Sequence, residues 1–171
     1  MQLNHYNTNF KQQSFPIILV CDNVTNAANI GSLFRIADAF GIKKIIFCGT
    51  HIPLGRKMTK TSRATEKTVV FETYELVSEI ITTLKNQDYT IISLEITNNS
   101  LPIDTYQFST EKSIALVVGD ENFGISEEVL TLSDAIIRIN MFGQNSSMNV
   151  VQATNIALYE ITKQLNEKSH N

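Results

Sequence analysis

The sequence predicts an α/β protein, a parallel sheet with helices on both of its faces. Three observations point there. Five short apolar runs (Ile17–Cys21, Lys44–Cys48, Tyr89–Leu94, Ile114–Val118 and Ala135–Ile139) are continuous rather than alternating, as in strands buried on both faces. Between several of them lie stretches with apolar residues at helical spacing. Six of the seven glycines (Gly41, Gly49, Gly55, Gly119, Gly124 and Gly143) fall at loops or element ends.

The elements follow in order. After the first strand, residues 29–40 place Ile30, Leu33, Phe34, Ala37 and Phe40 on one helical stripe, and Gly41 stops the helix. Lys44–Cys48 is the second strand. Residues 73–86 predict a helix with Leu76, Val77, Ile80, Ile81 and Leu84 at helical spacing. Tyr89–Leu94 and Ile114–Val118 are strands, and Ser126 then caps a short helix whose first turn holds Glu127 and Glu128. Ala135–Ile139 is the last strand. A helix over 149–166 closes the chain, with Val150, Ala153, Ala157, Leu158, Ile161 and Leu165 facing inward. Residues 17–166 read as one domain, residues 1–16 as a short extension and 167–171 as a tail, with fraying expected over 1–14 and 167–171.

The chain has 171 residues, 43% of them hydrophobic, and a net charge of -3. That suits one well-buried core and excludes a disordered chain or one that holds nucleic acid by bulk charge. Charge is nevertheless uneven. From Arg56 to Lys67, five cations face one acid, Glu66, a local charge of +4 against -7 for the remainder. Such a segment can neutralise several phosphates. Cys21 and Cys48 form no CxxC or His/Cys cluster, so no metal site is expected. The polar N-terminus has no signal-peptide core and no apolar stretch reaches bilayer length, so a cytoplasmic chain without membrane contact is expected. The Gly119–Gly124 loop lacks the Lys of a phosphate loop, and no GxGxxG follows a strand.

Three blocks carry the chemistry. In the first, Asn23–Gly41, the three-residue spacing puts Asn29, Ser32 and Arg35 on one helix face, with Asn29 placed to cap the helix. In the second, Ile114–Ser126, a buried strand delivers Gly119, Asp120, Glu121 and Gly124. In the third, Ile137–Ala153, Ser146, Ser147 and Asn149 open the last helix. Gly119 and Gly143 follow strands, where open α/β sheets bind ligands.

In this order and spacing, the blocks resemble the three motifs of the SpoU (TrmH-like) RNA 2′-O-ribose methyltransferases of the SPOUT superfamily, over roughly residues 17–165. The matches are N-x-G-x-x-x-R (Asn29, Gly31, Arg35), G-x-E-x-x-G (Gly119, Glu121, Gly124) and S-[LM]-N-V (Ser147, Met148, Asn149, Val150). Asn140 stands where the family usually has Pro. The resemblance implies a deep C-terminal trefoil knot, a homodimer and S-adenosyl-L-methionine as cofactor. It implies cofactor contacts from Leu94, Gly119, Glu121, Gly124, Ile139, Met141, Ser147 and Met148. It also implies a catalytic set of Asn29, Arg35, Glu121, Ser147 and Asn149. The base role given to the family's arginine conflicts with a guanidinium that keeps its proton above pH 12, so Arg35 suits a phosphate grip or a developing alkoxide. Arg56, Lys57, Lys60 and Arg63 are the expected RNA contacts. Several rRNA-directed relatives carry an added N-terminal domain, for which 16 residues leave no room, so tRNA is favoured over rRNA.

Overall fold

In chain order the elements are β1 (Phe15–Asp22), α1 (Ala27–Ala39), β2 (Ile42–Cys48), α2 (Arg56–Ser62), a 3-10 turn (Thr65–Lys67), β3 (Phe71–Tyr74), α3 (Val77–Asn86), β4 (Thr90–Leu94), β5 (Leu101–Pro102), β6 (Ile114–Gly119), α4 (Glu127–Leu132), β7 (Ala135–Arg138) and α5 (Val150–Lys168). The computed structural model describes Thr8 and residues 10–168. Of the expected tails, residues 1–7, 9 and 169–171 lie outside the described residues, while Glu167 and Lys168 continue α5.

The strands form one sheet in the order β3-β2-β1-β6-β4-β7-β5, and every pairing is parallel. Parallel strands need covering on both faces, and each face has its own core. Ile17, Leu19 and Cys21 of β1 pack with α1, Met58 of α2 and α5. Ile18 and Val20 point the other way and pack with Ile80, Ile81 and Leu84 of α3 and Val129 of α4. The two cysteines are therefore buried on opposite faces and remain free. Burial pushes both thiols up, Cys48 to about 12.

The structure corrects several expectations. The helix expected over 73–86 begins at Val77. Thr73 and Tyr74 instead pair with Phe47 and Cys48 as an edge strand, and Leu76 is left exposed at the helix start. Local spacing lost there to the open hydrogen-bonding edge of β2. Helix α1 begins at Ala27, not residue 29. The side chain of Asn26, not Asn29, caps it, accepting from Ala28 N at 3.0 Å and Asn29 N at 3.2 Å. Ser126 stands at the N-cap of α4 without a side-chain capping bond. On α5, Ala153 is half-buried, whereas Thr154 and Thr162 are buried by returning their hydroxyls to the Val150 and Leu158 carbonyls, each at 2.7 Å. Buried Gln164 accepts from Phe108 N at 3.1 Å and donates to Tyr106 O at 3.0 Å, fixing the loop before β6 onto α5.

The basic segment begins with α2. It is anchored through Met58 and Ser62, both buried against α1. A Cβ at Gly31 would overlap Thr61 Oγ1 and the Met58 carbonyl and lie 2.9 Å from Ser62 N. The glycine of the first motif thus serves helix packing. Gly31→Val is expected to cost about 1–3 kcal/mol, as overpacking does, read as a lower calorimetric midpoint. An unchanged midpoint would show that this contact does not hold α2.

Candidate active site

A cavity of about 550 Å³ opens at the carboxyl ends of β4, β6 and β7. That is within the range of small-molecule sites and at the expected end of a parallel sheet. Leu94, Gly119, Glu121, Gly124, Ile139, Met141, Ser147 and Met148 all line it. The structure therefore brings every expected cofactor residue to one space.

The β6–α4 loop is shaped by its own residues. Asp120 Oδ1 accepts from Asn122 N at 2.8 Å and Phe123 N at 3.2 Å, and Asp120 O accepts from Gly124 N at 2.9 Å. A Cβ on Gly119 would overlap the Gly124 carbonyl. Gly124 itself has φ +68°, and its own Cβ would lie 2.6 Å from Glu95 Oε2. The spacing of the two glycines is the spacing at which this turn closes.

Three of the expected catalytic side chains converge. Glu121 Oε1 accepts from Asn29 Nδ2 at 2.8 Å and also from Asn149 Nδ2, while the two asparagines meet at 3.4 Å. Asn149 has a second task. Its Oδ1 accepts from Val151 N at 2.9 Å and so caps α5, which turns the amide nitrogen toward Glu121. Asn29 is free to face Glu121 because Asn26 does the capping. Ser147 lines the cavity and is not hydrogen-bonded to the trio. Arg35 is not brought to them; it is exposed on α1, about 9 Å further along the axis. A second cavity of about 310 Å³ lies against Asn26, Asn29, Asp120, Glu121 and Asn122. Glu121 thus borders both cavities.

Two acids that tie the site together escaped sequence reasoning. Asp22, 1% exposed at the end of β1, accepts from Asn23 Nδ2 at 2.9 Å and Ser126 N at 3.0 Å. Glu95, just after β4, accepts from Ile96 N at 2.9 Å and Ile125 N at 3.1 Å. Each follows an apolar run directly, which was the available signal. Arg56, Lys57, Lys60 and Arg63 all stand exposed on or just after α2. Glu66, the acid among them, accepts the Ser62 hydroxyl, which holds its carboxyl below the usual range. Among the described residues, no three His, Cys, Asp or Glu are grouped to hold a metal ion.

Glu95→Ala removes the acceptor of a half-covered backbone N–H, a loss of about 1–3 kcal/mol. Faster hydrogen exchange at Ile125 and weaker ligand binding in the cavity are expected. Unchanged exchange there would show that Glu95 does not hold the loop.

The SpoU rRNA Methylase family model matches residues 16–159. A tRNA (guanosine(18)-2′-O)-methyltransferase of Aquifex aeolicus is 28% identical over 152 residues, covering 89% of this chain and 71% of its own length. A 23S rRNA (guanosine-2′-O-)-methyltransferase of Haemophilus ducreyi is 31% identical over 169 residues, covering 95% and 67%. The crystal structure of an AdoMet-bound rRNA methyltransferase from Sinorhizobium meliloti shares the fold, with TM-score 0.82 at 23% identity over 90% of this chain and 58% of that one. The family match leaves little of the chain outside it, and the chain belongs to the SpoU rRNA methylase family.

Proposed function

We propose that this chain transfers a methyl group from S-adenosylmethionine to the 2′-oxygen of a ribose in RNA, with tRNA the favoured substrate. The observation that carries the reading is Glu121, bound by two amides on the border between a ligand-sized cavity and a small polar one. A transferase needs such a border, because donor and acceptor must meet there. The larger cavity suits the cofactor in size and in its mixed backbone and apolar lining. Leu94, Gly119, Gly124, Ile139, Met141, Ser147 and Met148 would hold it.

When bound, S-adenosylmethionine supplies a methyl group already activated by its sulfonium charge. This chain's residues then have to position the ribose and help its hydroxyl lose a proton. Asn29 and Asn149 fix Glu121 through Oε1, leaving Oε2 to meet the ribose hydroxyl. A guanidinium offers donors and no acceptor, so Arg35 suits the grip on a phosphate or on the developing alkoxide rather than the role of a base. Ser147 stands in the cofactor wall as a further hydroxyl at the reacting centre.

The remaining expectations join this reading. Residues 17–166 act as one catalytic domain. The insertion of β4 between β6 and β7 supports a trefoil knot in the C-terminal half. A homodimer would cover Ile156 and Tyr159, which α5 leaves 38% and 61% exposed. Among the described residues no helix is long and apolar enough to cross a membrane, and we place the enzyme in the cytoplasm with its RNA. The Aquifex relative supports tRNA, and the Haemophilus relative supports ribosomal RNA as the second reading. Labelled methyl transfer to separated tRNA and rRNA pools decides between them. Transfer to neither, with cofactor bound, would leave a non-catalytic RNA-binding protein.

Arg35→Ala is expected to cut transfer about 100-fold or more, with unchanged cofactor affinity by isothermal titration. Near-wild-type turnover would sink its assignment. Lys57→Glu with Arg63→Glu is expected to weaken RNA binding and reduce the salt slope by roughly 1.5. Equal affinity at low salt would remove α2 from the RNA surface.

A further inference from the structure

We propose that Phe123 and Phe142 stack on nucleobases of the substrate RNA flanking the target ribose; this rests on the RNA reading above. Of the nine phenylalanines, Phe34, Phe47 and Phe108 are fully buried, and Phe10, near the N-terminus and outside the loops of the site, is 87% exposed. Phe123 and Phe142 are 91% and 96% exposed. Both sit on loops that build the site. Phe123 lines the larger cavity two residues after Glu121. Phe142 follows the cavity residue Met141, on the loop that ends in Ser147 and Asn149.

The chemistry around each ring selects the ligand. Phe123 lies beside Glu121 and Asn122, and Phe142 is flanked by Asn140, Gln144 and Asn145. Ile96 and Met141 line the same cavity as Phe123, and Met141 directly precedes Phe142. An exposed aromatic face with amide side chains close by in sequence offers what an unstacked base requires, a flat apolar surface near hydrogen-bonding groups. The Phe123 backbone is fixed by its N–H bond to Asp120 Oδ1 at 3.2 Å, so its loop needs little ordering on binding. At Gly143 a Cβ would meet nothing within 4 Å, so space beside Phe142 is open.

The shared chemistry, an aromatic base face, has two sources here: RNA or the adenine of the cofactor. The chain contains no tryptophan, so Phe123→Trp and Phe142→Trp each create a unique fluorophore. Emission is expected to be quenched by the RNA pool that wild type methylates and not by S-adenosylmethionine alone. Phe123→Leu and Phe142→Leu are expected to raise the KM for RNA about tenfold each, the scale of one lost stack. Cofactor affinity and sedimentation should be unchanged, and Phe→Tyr should restore the RNA KM. Quenching by cofactor alone, with weaker cofactor binding in the Leu variants, would assign the rings to adenine and overturn the proposal. Altered sedimentation with intact RNA affinity would assign them to a second copy and likewise overturn it. Unaffected Leu variants beside an active wild type overturn this proposal alone. A wild type that neither binds nor methylates RNA overturns the functional reading and this with it.

Discussion

The site depends on how closely the chain can fold back on itself after β6. Gly119 and Gly124 touch where any side chain on the first would overlap the backbone of the second. Asp120 supplies the acceptors that close the turn, so no ligand is needed to hold its shape. Glu121 is then presented to the amides of α1 and of the start of α5. The base of the turn cannot drift, because β6 is hydrogen-bonded to β1 on one side and β4 on the other. A residue larger than glycine at either end would widen the turn and part Glu121 from both asparagines.

Much of this was legible in the sequence, for a physical reason. Strands buried on both faces must be apolar throughout, so β1, β2, β4, β6 and β7 declare themselves. What stayed hidden depended on distant partners. Thr73 and Tyr74 fit a helix locally and became strand because β2 offered an unfilled edge. Helix α2 has no apolar stripe; Met58 and Ser62 are its buried residues, in a cationic stretch. Asn26 and Asn29 are equally good caps by type. Glu121, 92 residues away, is what gives Asn29 another use. Asp22 and Glu95 serve backbone amides 104 and 30 residues away; the apolar run before each marks a strand end but not the partner.

The local charge of +4 acquires a mechanical meaning once α2 is seen packed on α1. Gly31 lies two residues after Asn29, and Thr61 lies against it. The basic helix is thus fastened to the helix that supplies an amide to the site. Ser62 occupies Glu66, so the acid of the segment is drawn toward the protein while the cations remain outside. On the proposed reading, one pair of packed helices would both meet the polyanion and align Asn29, so that a mildly acidic protein could select RNA without attracting it everywhere.

The placement of the two cysteines has a practical corollary. Strand alternation sends Cys21 and Cys48 to opposite sides of the sheet, each beneath a layer of helices. They cannot reach one another, and burial keeps their thiolates from forming at neutral pH. The folded chain is therefore chemically silent toward thiol reagents. One cysteine introduced on its surface would be the sole reactive thiol, and probes can be attached at a chosen point without first removing the natural residues.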